Sequence, residues 1–249
     1  MYIFKYYKFR PNINMSFNKS FNAPRQSTYF DAFFKNQSNI DKILNDDTPV
    51  ESNDLFKIVL ILDESGSMDN IREKMLHSIN DLIKEQKQIK DRPATFTLVK
   101  FNDGINRKFN NSPLENVNFL TPEDYVPSGT TALYDAIGST INWFRNEKDV
   151  LMVIITDGQE NASKKYNKSK ISEMIDDKQK NNNWSYVYLS CDLGTFEQGN
   201  NIGLQKSCMT SNCVIDKEDY GDYIAKNVSG AISKCRRTGE TVQSQLNSE

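Results

Sequence analysis

The chain has 249 residues, 37% of them hydrophobic and 26% charged, with a formal net charge of -2. This length and composition suit one domain of about 180–200 residues with tails, or two small ones, and the near-neutral charge excludes a general nucleic-acid binder. No stretch approaches the ~20 consecutive apolar residues that a membrane span needs.

Residues 1–54 read as an arm and linker. Positions 1–30 carry Lys5, Lys8, Arg10, Lys19 and Arg25, no acid, and many aromatics and asparagines. Two readings stand for this arm. It is a docking element for an acidic partner, a nucleic acid or an anionic membrane, or it is a disordered leader, with Met15 as an alternative start. One short helix is expected around Tyr29–Phe34. The opening MYIFKYYKFRPN alternates aromatic and basic residues and lacks the continuous apolar core of a secretory signal, so a cytoplasmic location is expected. The cysteines, Cys191, Cys208, Cys213 and Cys235, form no CxxC pair, which argues for reduced thiols over a zinc site or a disulfide framework. The single histidine, His77, falls mid-helix with no nucleophile signature beside it.

The ordered pattern starts at Leu55 and is expected to run to Arg236, with 237–249 a polar tail. Leu55–Asp63 is a continuous apolar run, as in a parallel strand buried on both faces. A polar loop, ESGSMDN, leads into an amphipathic helix over about 69–90, with Ile71, Met75, Ile79, Leu82, Ile83 and Gln86 on one stripe. Ala94–Phe101 is a second strand. Asn102-Asp103-Gly104 is a tight-turn signal, and Ile105–Phe109 returns as an antiparallel edge strand. Pro113–Gly129 is a long irregular connection. Leu133, Ala136, Ile137, Thr140, Ile141 and Phe144 mark a second helix. Asp149–Asp157 is another uninterrupted apolar strand, and Lys168–Lys180 is a helix. Trp184–Cys191 is a strand, and Cys213–Ile215 a short last one. Tyr220–Arg236 is the final helix, with Ile224, Val228, Ile232 and Cys235 on one face. Strands alternating with helices predict an α/β, Rossmann-like, doubly wound and mainly parallel sheet. Ligands bind such sheets at the carboxyl ends of the strands, near the point where strand order reverses.

Two loops at that end are rich in oxygen ligands. Asp63-Glu64-Ser65-Gly66-Ser67 leaves the first strand as D-x-S-x-S, placing three oxygen side chains on alternate residues. Gly66 is expected to allow a sharp turn between the serines. Asp157, in T-D-G, ends the other apolar strand. Thr130, in S-G-T-T, precedes the second helix. Oxygen-only ligands select a hard cation such as Mg²⁺, Mn²⁺ or Ca²⁺. Each motif also has a plain structural alternative: Ser67 or Asp69 as a helix cap, Thr130 as another, and Asp157-Gly158 as an ordinary turn.

In order and placement these motifs resemble the metal-ion-dependent adhesion site of von Willebrand factor type A domains, as in integrin inserted domains. The resemblance covers about Leu55–Arg236. It implies a mainly parallel six-stranded sheet with helices on both faces. It makes Asp63, Ser65 and Ser67 first-loop ligands and Thr130 the second-loop ligand, with Thr131 the nearest rival. Asp157 becomes the third-loop acid, acting through water. SGTTALYDAIG, IITDGQENAS and WSYVYLSCDLGTFEQGNNIG are similar to small stand-alone A-domain proteins of bacteria, phages and large viruses. The family implies metal-dependent protein binding, with the metal's coordination completed by an Asp or Glu carboxylate of a partner. Two alternatives belong to other classes. One is a Mg²⁺-dependent hydrolase using Glu64 or Glu160 as general base, although both read as solvated loop residues. The other is a structural component of a virion or assembly. An NTPase is excluded by the absence of GxxxxGK[ST]. An aspartyl phosphotransferase is disfavoured because Ser65 stands where its second acid would be.

Overall fold

The two uninterrupted apolar runs form the centre of the sheet. In the computed structural model, which describes residues 55–190, 198, 199, 201–204, 224 and 228–238, five strands are ordered β3-β2-β1-β4-β5. They are β1 (Phe56–Asp63), β2 (Ala94–Phe101), β3 (Ile105–Pro113), β4 (Val150–Thr156) and β5 (Ser185–Ser190). All neighbours are parallel except β2 and β3, which form the expected hairpin. Five strands of the six implied fall among the described residues, and the expected last one, Cys213–Ile215, lies outside them. The expected helix near Tyr29–Phe34 also lies outside them.

Among the described residues four α-helices cover the sheet: α1 (Arg72–Gln88), α2 (Leu133–Trp143), α3 (Lys168–Asn182) and α4 (Ser229–Thr238). Side chains alternate across β1. Ile58, Leu60 and Leu62 join one core with Met75, Ile79 and Leu82 of α1 and Ile232 of α4. Val59 and Ile61 join the other with Leu133, Ile137 and Ile141 of α2 and Ile171 and Ile175 of α3. A strand sandwiched this way is apolar on both faces through its middle, which is why β1 and β4 lack the period-2 pattern of a half-exposed strand.

Three boundaries differ from the sequence expectation. The helix expected from about 69 begins as a 3-10 segment, Gly66–Ile71, and becomes α-helical only at Arg72. Strand β3 extends past Phe109 to Pro113, with register shifts opposite Phe96–Val99 and a left-handed Asn111. That bulge carries an edge strand further than its alternation indicates. The long connection after β3 holds two 3-10 turns, Leu114–Asn116 and Pro122–Asp124.

Gln86, a polar residue on the apolar stripe of α1, is explained by a buried network. Its amide nitrogen donates to Ser229 O and Ser229 Oγ, both at 2.9 Å. Arg236, 2% exposed, donates to the backbone carbonyls of Gln86 (2.6 Å), Ile89 (3.1 Å) and Arg92 (2.6 Å). The guanidinium of α4 therefore satisfies carbonyls where α1 ends, a favourable place for a cation. Burial pulls Arg236 down to about 10, so it stays charged at neutral pH. Replacing Arg236 with Met leaves these acceptors unmet and is expected to cost about 2–4 kcal/mol in denaturant unfolding. Lys, which lacks the planar fork, is expected to restore little of it.

Candidate functional site

The reversal point of the sheet lies between β1 and β4: the chain passes from β1 to β2 on one side and returns to β4 on the other. The loops leaving these strands meet there, as the open α/β architecture requires. Asp63, the last residue of β1, is 0% exposed. Its Oδ1 accepts from Ser65 N at 2.7 Å and its Oδ2 from Thr156 Oγ1 at 2.6 Å. Its backbone carbonyl accepts from Tyr125 Oη at 2.7 Å. The chain continues from buried Ser65 to exposed Ser67, whose hydroxyls lie 3.1 Å apart. Ser67 Oγ donates to Asp157 Oδ1 at 2.5 Å. The first and third loops thus contribute one connected group: Asp63, Ser65, Ser67 and Asp157.

The second loop contributes Thr131. A Cβ built on Gly158 would lie 2.7 Å from Thr131 Oγ1 and 3.4 Å from both Asp63 Oδ2 and Ser65 Oγ. Three oxygens, two from the first loop and one from the second, therefore surround a point beside the third loop that only glycine at 158 leaves open. Thr130, expected as the second-loop ligand, is exposed and turned away. Its hydroxyl and its amide both donate to Asp103 Oδ1, the amide at 3.0 Å. Adjacent residues of an extended segment face opposite ways, so only one of the two threonines can look inward. The signal in the sequence is the apolar run Ala132-Leu133 directly after Thr131: the chain is already entering the core there, and Thr131, Ala132 and Leu133 are all buried.

The cap alternatives are not realised. Neither the 3-10 segment nor α1 has a side-chain cap bond, and none is made by Ala132 at the start of α2. The Gly66 expectation is also corrected. Gly66 has no left-handed φ, and a Cβ there would meet nothing nearer than 3.6 Å. In these loops the glycine with a left-handed φ is Gly129, at φ +76° and with a Cβ position 2.5 Å from Asp103 Oδ2.

The two proposed general bases are held in structural bonds instead of being solvated. Glu64 is paired with Lys100 at 2.7 Å, both side chains nearly buried, and accepts from Val126 N at 2.8 Å. Glu160 accepts from Ala162 N, Ser163 N, Ser163 Oγ and Tyr134 N, the last at 2.9 Å. It thereby supplies an acceptor to the first turn of α2, a role its spacing from Asp157 gave no hint of.

The site's electrostatics are one-sided. Burial pushes the Asp63 carboxyl above its usual range, against the hydrogen bonds from Thr156 and Ser65, and the Asp157 charge pushes the same way. Among the described residues no lysine or arginine pairs with Asp63. A buried carboxylate facing a second acid without a counter-charge is costly, and a cation removes that cost. The donors are all oxygens, which suits a hard cation. Among the described residues no three Asp, Glu, His or Cys side chains gather into a metal-binding group, so any cation here depends on the hydroxyls. The residues present fit a hard divalent ion.

Two outcomes are expected. Gly158→Ala places a methyl against Thr131, Asp63 and Ser65; it is expected to abolish Mn²⁺ binding in calorimetric titration while leaving circular dichroism unchanged. The second concerns Asp135 on α2, which accepts from the backbone amides of Lys164, Lys165 and Tyr166 and so anchors the third loop. Burial raises its carboxyl, but these bonds prevail and hold it below its ordinary 3.8. Its contribution to stability is therefore complete above that value and is lost as pH falls through the lower folded one. Wild type is expected to exceed Asp135→Asn by about 1–2 kcal/mol at pH 7. The gap should close on acidification below about pH 4; a gap independent of pH would contradict this role.

The profile of the von Willebrand factor type A domain matches residues 57–224. No curated protein matches the chain. Similar solved structures include the PilB minor pilin from Streptococcus sanguinis, at 13% identity and TM-score 0.56, covering 76% of this chain and 63% of that one. The vWF domain of the type V pili tip protein Mfa5 from Porphyromonas gingivalis is also similar, at 12% identity and TM-score 0.54, covering 77% of this chain and 99% of that one. A von Willebrand factor type A protein from Catenulispora acidiphila has 14% identity and TM-score 0.50, covering 72% and 42%. The chain thus spans less than two thirds of the pilin but nearly all of the Mfa5 domain, and at these identities the likeness is one of fold. No described helix is long and apolar enough to cross a membrane. With the family profile matched over most of its length and the same fold in these structures, the chain belongs to the von Willebrand factor type A domain family.

Proposed function

We propose that the chain is a divalent-cation-dependent protein-binding module, with the cation held by Asp63, Ser65, Ser67, Thr131 and Asp157. The observation that carries this reading is the convergence of Asp63, Ser65 and Thr131 oxygens on one point opposite Gly158, around a buried carboxylate. Thr131 takes the place that the sequence reading gave to Thr130. The bound ion supplies a positive centre that attracts an anionic ligand. The chain's own residues do the rest: Thr156 and Ser65 N orient Asp63, Ser67 orients Asp157, and Tyr125 fixes the backbone of the first loop. Only two acids face the ion, so its charge is incompletely neutralised and an Asp or Glu carboxylate of a partner protein completes it. A carboxylate desolvated in such an interface is worth about 2–5 kcal/mol. Mg²⁺ is the first candidate, with Mn²⁺ or Ca²⁺ able to use the same oxygens.

A binding module is favoured over a hydrolase because Glu64 and Glu160 are both engaged in structural bonds. A cytoplasmic setting and the 55–236 domain limits belong to the same reading; fractionation of the native protein checks the first, limited proteolysis the second. The defining test is calorimetric titration of the full chain with Mg²⁺ or Mn²⁺. One site is expected in the wild type, lost in Thr131→Ala and regained in Thr131→Ser, which restores the hydroxyl. Thr130→Ala is expected to weaken binding far less. Loss with Thr130→Ala and retention with Thr131→Ala would reverse the ligand assignment. Metal-dependent turnover of a phosphate ester or peptide that disappears with Glu64→Gln or Glu160→Gln would overturn the binding-module reading.

A further inference from the structure

The turn between β2 and β3 holds the second ligand loop on both sides of Thr131. Before it, Asp103 Oδ1 accepts from the amide and the hydroxyl of Thr130. After it, the carbonyl of Asn102 accepts from Ala132 N at 2.9 Å. The turn is itself closed, since Asn102 Oδ1 accepts from Gly104 N at 3.0 Å and Asn102 N donates to Gly104 O at 3.0 Å. Gly129 is left-handed and lies so close to the Asp103 carboxylate that no side chain fits between them. Thr131 is bonded to Asn161 through its own amide and carbonyl, at 2.9 and 3.0 Å. The residues before and after Thr131 are thus bonded to the hairpin, and its own backbone is bonded to the third loop.

We propose that Asp103 is a positioning residue for the metal site: by holding Thr130 outward it selects Thr131 as the hydroxyl that faces Asp63 and Ser65. This inference rests on the cation reading above. Asp103 acts through hydrogen-bond geometry, not through its charge. It contacts Thr130, whose hydroxyl is the competing ligand of the same chemistry one residue away. Release of Thr130 frees the 129–130 backbone to rotate and puts the wrong hydroxyl, or none, beside Ser65. Outer-shell partners of this kind typically change metal affinity by about 10–100-fold when removed.

The test uses the full chain and three variants, with Mn²⁺ as the probe in calorimetric titration. Asp103→Ala is expected to weaken Mn²⁺ binding by about tenfold or more. Asp103→Asn keeps an oxygen acceptor for both Thr130 donors and is expected to bind like wild type. Thr130→Val keeps the amide bond alone and is expected to fall between. If Asn weakens binding as much as Ala, the effect is one of charge and the positioning role is overturned. If Ala binds like wild type, it is overturned outright. A second readout is independent of metal: in amide NMR spectra without Mn²⁺, the Thr131 and Asn161 signals are expected to shift in Asp103→Ala and return in Asp103→Asn. Unmoved signals in the Ala variant would contradict the proposal. Failure of the wild type to bind Mn²⁺ would instead count against the cation reading, and the NMR comparison would still decide the role of Asp103.

Discussion

Asp63 is a carboxylate at the end of a fully buried strand, with no exposure and no cationic partner among the described residues. The arrangement at the top of the sheet answers to that constraint. Its two oxygens are met by Ser65 N and Thr156 Oγ1, which fixes the direction of the first loop and ties it to the last residue of β4. The nearest lysine on the neighbouring strand, Lys100, is committed to Glu64. Asp157 adds a second negative charge, reached through Ser67. Hydrogen bonds to a buried carboxylate offset part of its desolvation; a counter-ion offsets the remainder.

The scaffold serves that arrangement by keeping three loops in register. Parallel pairing of β1 with β2 and β4 brings Asp63, Phe101 and Thr156 to one edge. The backbone then links the loops directly: Glu64 N to Phe101 O, Ser128 N to Glu64 O, Gly66 N to Gly129 O and Asn161 N to Thr131 O. Such cross-loop bonds explain how irregular segments hold a site without regular secondary structure. Asp135 and Glu160 act in the same way on the third loop, each accepting several backbone amides.

Much of the fold was legible because β1 and β4 are apolar through their middles, from Ile58 to Leu62 and from Val150 to Ile155, and because the stripes on α1 and α2 have helical spacing. That Asp63, Ser65, Ser67 and Asp157 lie close together was legible for a related reason, since each follows closely on a strand whose end is easy to place. Thr130 against Thr131 was not, because the difference between adjacent residues depends on where a long irregular connection turns inward. Here Thr130 is hydrogen-bonded to Asp103, 27 residues earlier in the chain. Gly66 looked conformationally necessary from its place between two serines, yet the left-handed position is Gly129. The structural roles of Glu64 and Glu160 were hidden for the same reason: their partners, Lys100, Val126 and Tyr134, are distant in sequence.

A crystal structure grown with Mn²⁺ and measured for anomalous scattering tests the central claim most directly. One anomalous peak is predicted beside Ser65, Ser67 and Thr131, in the space that a Gly158 side chain would fill, with Thr130 still bonded to Asp103. A peak coordinated by Thr130, or no peak at this edge of the sheet at saturating Mn²⁺, would contradict the account.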